Sequence, residues 1–475
     1  MKNFLILLLL ALAFGGGSPL AASEKPRVIV TTDLSNEPDD EESLVRFLVY
    51  ANEFDVEGLI ASTSTHLKQG PREDLLHRGI DAYAQVVGKL SKHAPGYPSA
   101  EHLHSVCRTG QTGYGMAAAG DGKSTPGSKL IIEAVDRADA RPIWICVWGG
   151  ANTLAQALWD VKGSRSPEEV DKFIRKLRVY TISDQDDGGH WIRPAFPNLF
   201  YICSPGNVGG NYYASTWCGI SGDRHNKVGV WHRFEMVDNP WLKENIIENH
   251  GPLGALYPPV AYLMEGDTPS FLGLINNGLG WHVSPGYGGW GGRYQEYQPW
   301  GEKRKLWTDW RDSRDTVTSD DNGRTETSNH ATIWRWREHF QNDFAARMDW
   351  CVADDFKKAN HNPIAVLNGD KTKDVLEVAT KAGETVKLSA EGSTDPDGNA
   401  IETRWWIYEE AGTLRDARRR NFPSDVSLSA TNGLTTSLVA PKVAKPQTLH
   451  VILEVRDNGT PKLWSYRRAV INIEP

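Results

Sequence analysis

From Arg27 onward, short apolar runs alternate with stretches of helical period, the pattern of βα units around a largely parallel sheet. RVIVTT (27–32) reads as a buried strand, and Leu44, Val45, Phe47, Leu48 and Ala51 then recur at helical spacing. DVEGLIAS (55–62) is predicted as the next strand and REDLLHRGIDAYAQVVGKL (72–90) as a helix. A second set follows: SKLIIEAVDRA (128–138) helical, PIWICVW (142–148) extended, ANTLAQALW (151–159) helical, then strands in RVYTIS (178–183) and NLFYICS (198–204). The expected fold class is α/β, an open and mostly parallel sheet whose ligands meet the carboxyl ends of its strands.

Two segments break this pattern. Between Trp281 and Trp336 the chain reads WHVSPGYGGWGGRYQEYQPWGEKRKLWTDW with a later WRW, and holds seven of the 18 tryptophans. Such aromatics either pack a loop-rich subdomain or face solvent as stacking platforms for sugar rings. From 361 to 475 the period becomes two, with turn signals at DPDG and DNGT, which predicts an all-β, immunoglobulin-like sandwich. The expected division is an α/β domain over 23–360 and a β module after it, with the boundary near Ala359 to Pro363.

A length of 475 residues suits two or three domains with a large core. Met1 to Ala22 runs from Lys2 through FLILLLLALAF to GGGSPLAA: a charged start, an apolar centre and a small-residue end. That is a secretory signal peptide, and the expected location is secreted or periplasmic. A net charge of −8 invites neither nucleic acid nor an anionic membrane surface. The five cysteines are too few and scattered for a disulfide framework or a zinc site. Either one bridge forms, with Cys203 and Cys218 the simplest pair, or all are buried thiols.

The candidate chemistry lies in VTTDLSNEPDDEE (30–42), where Asp33, Glu37, Asp39 and Asp40 crowd the loop between a buried strand and a helix start. Asp39 and Asp40 could serve as helix caps favoured by the dipole. The strand-end context and the preceding Asp33 favour a second reading, a hard cation such as Ca²⁺ whose charge offsets the repulsion among oxygen ligands.

The single Asp followed by an Asp-Asp pair and an apolar helix resembles the N-terminal fingerprint of inosine-uridine nucleoside hydrolases, with a longer gap here. TTDLSNEPDDEESLVRFL, YANEFDVEGLI, MEGDTPSFL and GGWGGRY are together similar to a family of secreted bacterial proteins described as cellulose-binding, in which a nucleoside-hydrolase-like domain precedes a β-rich one. This resemblance implies that Asp33 and Asp40 bind Ca²⁺, with Asp33 also the general base, and that Asp39 holds sugar hydroxyls. It implies a further metal ligand in the carbonyl of Trp148, within VWGGANTLAQAL, and another in Asp267, within MEGDTPS. Asn198 and His66 fall at positions implied to contact sugar.

Two positions depart from the hydrolase pattern. Gly266 stands where many nucleoside hydrolases carry a leaving-group His, and Phe196 where a Glu precedes the sugar-binding Asn. The sugar-and-metal half of the site is thus kept and the nucleobase half is not. Asp184, Asp186, Asp187 and His190 in SDQDDGGHW are either a replacement source of a general acid or a polar turn. In the β module, Asp395 and Asp397 of DPDG either bind a second Ca²⁺ or close a tight turn. Trp405 and Trp406 must point to opposite faces of a strand, one into the core and the other available for stacking. The expected function is a Ca²⁺-dependent hydrolase of glycosidic bonds, acting on or near cell-wall polysaccharide. The alternatives are a carbohydrate-binding protein without catalysis and an exported nucleoside hydrolase.

Overall fold

The computed structural model describes residues 24–35, 37–205, 212–226, 229, 231–309, 313–415 and 422–475; the predicted signal peptide lies outside them. In chain order the first eight strands are β1 (Arg27–Thr32), β2 (Asp55–Ala61), β3 (Cys107–Thr109), β4 (Ile143–Val147), β5 (Leu177–Thr181), β6 (Phe200–Ile202), β7 (Gln295–Tyr297) and β8 (Leu306–Thr308). They form one sheet in the order β3-β2-β1-β4-β5-β6-β8-β7, parallel except for β7, which runs antiparallel to β8 at the edge. Every residue of β1 is buried because it sits between β2 and β4 with both faces covered, the reason Val28, Ile29 and Val30 run apolar without alternation.

Each face of the sheet carries its own core. One core joins Val28, Val30 and Leu59 to the helices Pro38–Val49, Glu73–Ala84 and Arg337–Trp350; the other joins Ile29, Ile60 and Ile145 to the helices Pro126–Asp136, Asn152–Ser164 and Pro167–Arg175. Strand order reverses between β1 and β4: successive strands run outward from β1 through β2 to β3 on one side, and from β4 through β5 to β6 on the other. A crevice therefore opens at the carboxyl ends of β1 and β4, where open α/β sheets bind ligands.

The aromatic-rich segment is mainly packing. Trp281, Trp290, Trp334 and Trp336 are buried, whereas Trp300, in the β7–β8 connection, is fully exposed (100%). Trp281 fills the space over Gly273, where an added Cβ would lie 2.4 Å from its ring, and its Nε1 donates to the Gly292 carbonyl at 2.8 Å. The hairpin β9 (Asp315–Thr318) and β10 (Thr325–Ser328) follows.

The C-terminal unit contains β11 (Leu376–Lys381), β12 (Thr385–Ser389), β13 (Ile401–Ile407), β14 (Thr435–Val439), β15 (Gln447–Asp457) and β16 (Trp464–Glu474). They form a four-stranded sheet, β11-β16-β15-β13, and a two-stranded sheet, β12-β14, closing a core around Leu388, Trp405, Leu438 and Ile471. Trp406 faces the other way, yet it is not a free platform. It is half-buried against Trp336 at 5.9 Å between ring centroids, and its Nε1 donates to Glu454 Oε1 at 2.8 Å. The DPDG segment is a turn: Asp395 Oδ1 accepts from the backbone N–H of Asp397 and of Asn399, both at 2.9 Å. Asp397 accepts from the backbone N–H of His361 at 2.8 Å and lies 2.9 Å from its Nδ1, tying the turn to the interdomain connection. All five cysteines are buried and free, so the Cys203–Cys218 bridge does not form.

Candidate metal centre

Asp33 leaves the end of β1 directly into the crevice. Its Oδ2 accepts a hydrogen bond from Ser64, just beyond β2, while its Oδ1 is buried without a hydrogen-bond partner. Across it runs the backbone of Gly149, where an added Cβ would lie 2.3 Å from Asp33 Oδ1, so only glycine lets the β4 turn approach this closely. Asp39 and Asp40 enter on the first turn of the helix Pro38–Val49. Neither caps it: its N-cap is Glu37, without a side-chain cap bond. Asp40 Oδ1 instead accepts from Thr32 Oγ1 in β1.

Asp267 comes from far along the chain. Its position is set by Glu265, which forms a fully buried ion pair with Arg46 of the helix Pro38–Val49 and accepts from Tyr257 Oη and Thr268 Oγ1, each at 2.8 Å. The backbone N–H of Glu265 donates to Glu42 Oε2 at 2.8 Å, so one helix carries both the acidic turn and the anchor for the segment facing it.

Asp39, Asp40 and Asp267 each offer a carboxylate oxygen within 4.8 Å of the others. Sequence reasoning placed Asp33 in the metal set and Asp39 among the sugar contacts; among the described residues the close group contains Asp39, with Asp33 beside it. Burial pushes the Asp33 carboxyl up to about 6. Burial, then Glu37 and Asp33, push Asp39 up to about 8. Asp40 lies well above the ordinary range through burial and then Asp33 and Asp39, and Asp267 does so through burial and then Asp40, Asp39 and Asp33. Excess negative charge, buried and aimed at one point, together with the unpartnered Asp33 Oδ1 and Asp267 Oδ2, fits a hard divalent cation.

The group opens on a cavity of about 420 Å³ lined in part by Glu37, Asp39, His66, Tyr212, Trp217 and Asp267. His66 lines it: Nε2 lies 3.3 Å from Tyr212 Oη and Nδ1 lies 3.7 Å from Glu37 Oε1. The Trp148 carbonyl is at the end of β4 but accepts from Gln185 Nε2 at 2.8 Å. Asn198 is not part of the site. It is exposed and precedes β6, which runs parallel to β1, so it lies at the amino edge of the sheet, with Nδ2 3.4 Å from Asp171 Oδ1.

The SDQDDGGHW segment takes the polar-turn reading. Asp184 is held by both terminal nitrogens of Arg193, at 2.7 and 2.9 Å. Asp186 accepts from the backbone N–H groups of Ala151, Asn152 and Gly188, and Asp187 from that of Met116. His190 Nε2 lies 3.7 Å from Asp184 Oδ2. Ser64, Gln185 and the Arg46–Glu265 pair were missed in the sequence; they carry no local signal, since each acts on a partner remote in the chain.

Comparison with known families decides the lineage. Residues 27–294 match the family described as cellulose-binding Sde182, nucleoside hydrolase-like domain, and residues 385–473 match the cellulose-binding protein Sde0182, C-terminal domain. The chain belongs to the Sde182 cellulose-binding family. A carbohydrate partner goes with that family description. The structure of a nucleoside hydrolase-related hypothetical protein from Saccharophagus degradans, described as associated with carbohydrate metabolism, is 38% identical. It covers 95% of this chain and 100% of its own, with a TM-score of 0.79, and shares the open parallel sheet and the β-sandwich. The type III effector XopQ, solved with adenosine diphosphate ribose, is 11% identical over 54% of this chain and 82% of its own, with a TM-score of 0.27, too low to carry argument. A search of curated proteins gives no match.

Gly266 acquires a physical meaning within this family fold. An added Cβ there would lie 2.7 Å from Asp39 Oδ2, so any side chain at the position where many nucleoside hydrolases hold a His would displace the Asp39 carboxyl.

Proposed function

We propose that this Sde182-family protein is an exported, Ca²⁺-dependent hydrolase of glycosidic bonds in cell-wall saccharides. One observation carries the reading: Asp39, Asp40 and Asp267 converge within 4.8 Å, Asp39 and Asp267 line a cavity at the sheet's switch point, and the half-free Asp33 lies beside them. Asp39, Asp40 and Asp267 would hold the cation. When bound, such an ion supplies charge that acidifies and orients water and takes sugar hydroxyls as ligands.

Asp33 does the remaining work at the reacting end. Ser64 holds one of its oxygens, leaving Oδ1 to accept the proton of an attacking water as positive charge develops at the anomeric carbon. His66 and Glu37 stand on the cavity wall, placed to bind hydroxyls of the sugar. The test has two arms. Calorimetric Ca²⁺ titration of EDTA-treated protein should give one site that Asp40→Asn loses. Asp33→Asn should keep oligosaccharide binding while turnover falls by about 10²–10⁴-fold. Full turnover in Asp33→Asn would falsify the catalytic assignment.

A second reading, a carbohydrate-binding protein without catalysis, is favoured by Gly266, which stands where many nucleoside hydrolases carry the leaving-group His. Calcium-dependent saccharide binding with no hydrolysis across a glycoside panel would select it.

A further inference from the structure

Besides the acidic group, the cavity at the switch point is lined by Trp217, His225, Tyr262 and Leu263. A Cβ added to Gly266 would also meet Leu263 Cδ1 at 3.1 Å and Trp217 Cζ3 at 3.2 Å, so these two side chains stand around the position where many nucleoside hydrolases carry a His. Tyr262, next to Leu263, is 58% exposed. Its ring meets that of His225 edge to face, 5.9 Å between centroids with planes at 74°. An earlier segment of the chain thus brings an imidazole to the stretch of wall that Gly266 belongs to.

Two histidines line the cavity, and their surroundings differ. His66 has a neighbour at each nitrogen, Tyr212 Oη at 3.3 Å and Glu37 Oε1 at 3.7 Å. His225 is exposed to solvent, and among the described residues nothing hydrogen-bonds its ring. An imidazole open to water can take up a proton and give it to a bound group. The acidic residues of SDQDDGGHW are not rivals for that task, because Arg193 holds Asp184 and backbone N–H groups hold Asp186 and Asp187. A sugar leaving group departs readily only when its oxygen receives a proton, so a site that hydrolyses saccharides needs such a donor.

We propose that His225 is the catalytic acid of this site and that Tyr262 beside it stacks the leaving sugar, so that the substrates are O-glycosides whose leaving group is itself a saccharide. This rests on the hydrolase reading. Asp33 takes a proton from water as the water oxygen bonds to the anomeric carbon. The bond from that carbon to the leaving oxygen breaks, its electron pair stays on the oxygen, and a ring N–H proton of the His225 imidazolium passes to it. His225 ends neutral and Asp33 protonated, and exchange with solvent restores both.

The test compares the Ca²⁺-loaded wild type, His225→Gln and Tyr262→Ala on cello- and xylo-oligosaccharides and on dinitrophenyl glycosides of the same sugars, whose leaving group needs no proton. His225→Gln should lose about 10²–10⁴-fold in kcat on the oligosaccharides, keep its rate on the dinitrophenyl glycosides, and lose the alkaline limb of the wild-type pH profile. Tyr262→Ala should raise the oligosaccharide KM with kcat little changed. Calorimetric Ca²⁺ uptake should match wild type in both variants, which separates this wall from the acidic group. Undiminished oligosaccharide turnover in His225→Gln, or an equal loss on both kinds of substrate, would overturn the assignment and leave the hydrolase reading standing. So would a wild type that cleaves only the dinitrophenyl glycosides. A wild type that cleaves neither kind overturns both.

Discussion

Asp40 illustrates how a binding residue acts against the fold that carries it. Its carboxyl is buried among Asp33, Asp39 and Glu41, and its folded pKa lies well above 3.8. A carboxyl raised on folding binds its proton more tightly in the native state, so it stabilises at low pH and costs stability as pH rises through the folded value. At neutral pH in EDTA, Asp40→Asn should therefore melt higher than wild type, and the difference should shrink as the buffer is taken toward pH 4. With Ca²⁺ at about a hundred times its Kd, wild type should gain about 2.7 kcal/mol and the variant nothing, reversing the order. Thermal melts in EDTA and in Ca²⁺ read both effects. An order that stays the same in both would count against a cation at these carboxylates.

At the scale of elements, the helix Pro38–Val49 is the hinge of the site, carrying Asp39 and Asp40 on its first turn and Arg46 further along. The Arg46–Glu265 pair is fully buried, and Arg46 Nη1 also donates to the Phe340 carbonyl at 3.1 Å. Arg46→Met leaves Glu265 buried without its counter-charge. The expected loss is about 3–5 kcal/mol in denaturant unfolding, with weaker Ca²⁺ binding because Asp267 follows Glu265 by two residues. The double variant Arg46→Met, Glu265→Leu should recover stability that the single variant loses. Legibility at this scale was uneven. β1, β2, β4 and β5 announced themselves as apolar runs. The helix read over 72–90 divides into Glu73–Ala84 and Val87–His93, and β3, three residues long, is too short to show a period. The helix Pro167–Arg175 was missed although its capping box, Ser166 with Glu169, and the proline at its start were readable.

At the scale of the molecule, three histidines are built into the junction between the α/β domain and the sandwich. His93 Nδ1 lies 3.0 Å from His361 Nε2; His339 stacks on Trp464 at 4.2 Å; His450 Nδ1 accepts from Arg468 Nη1 at 2.9 Å and meets the Tyr287 ring at 4.7 Å. Burial lowers the pKa of all three, with His339 and His450 well below 6.5. These groups must be neutral to fold, so their contribution is fully present above pH 6.5 and is lost as pH falls below it, when the unfolded chain takes up protons that the native state refuses. Each contributes at most about 1.4 kcal/mol per pH unit. Unfolding followed from pH 7.5 to 5.5 should show a declining midpoint, and His339→Phe should flatten the slope. A slope identical to wild type would remove His339 from the account. The carboxylate centre acts in the opposite sense when metal-free, so the measurement belongs in saturating Ca²⁺.

Periodicity alone determined the α/β class, the C-terminal sandwich, and the place of the acidic loop at a strand end, because those depend on which side of each element faces apolar surroundings. Chain order could not determine which carboxylates converge. Among the described residues Asp39, Asp40 and Asp267 form the close carboxylate group, with Asp33 beside it, because the helix turn faces the segment held by Glu265. Asn198 has the expected neighbours in sequence yet lies at the far edge, because the residues entering a parallel strand and those leaving it sit on opposite sides of the sheet. Trp406 has the alternation of an exposed residue but meets Trp336 from another domain. In each case local pattern sets the direction of a side chain, and only the packing of remote segments sets what it meets.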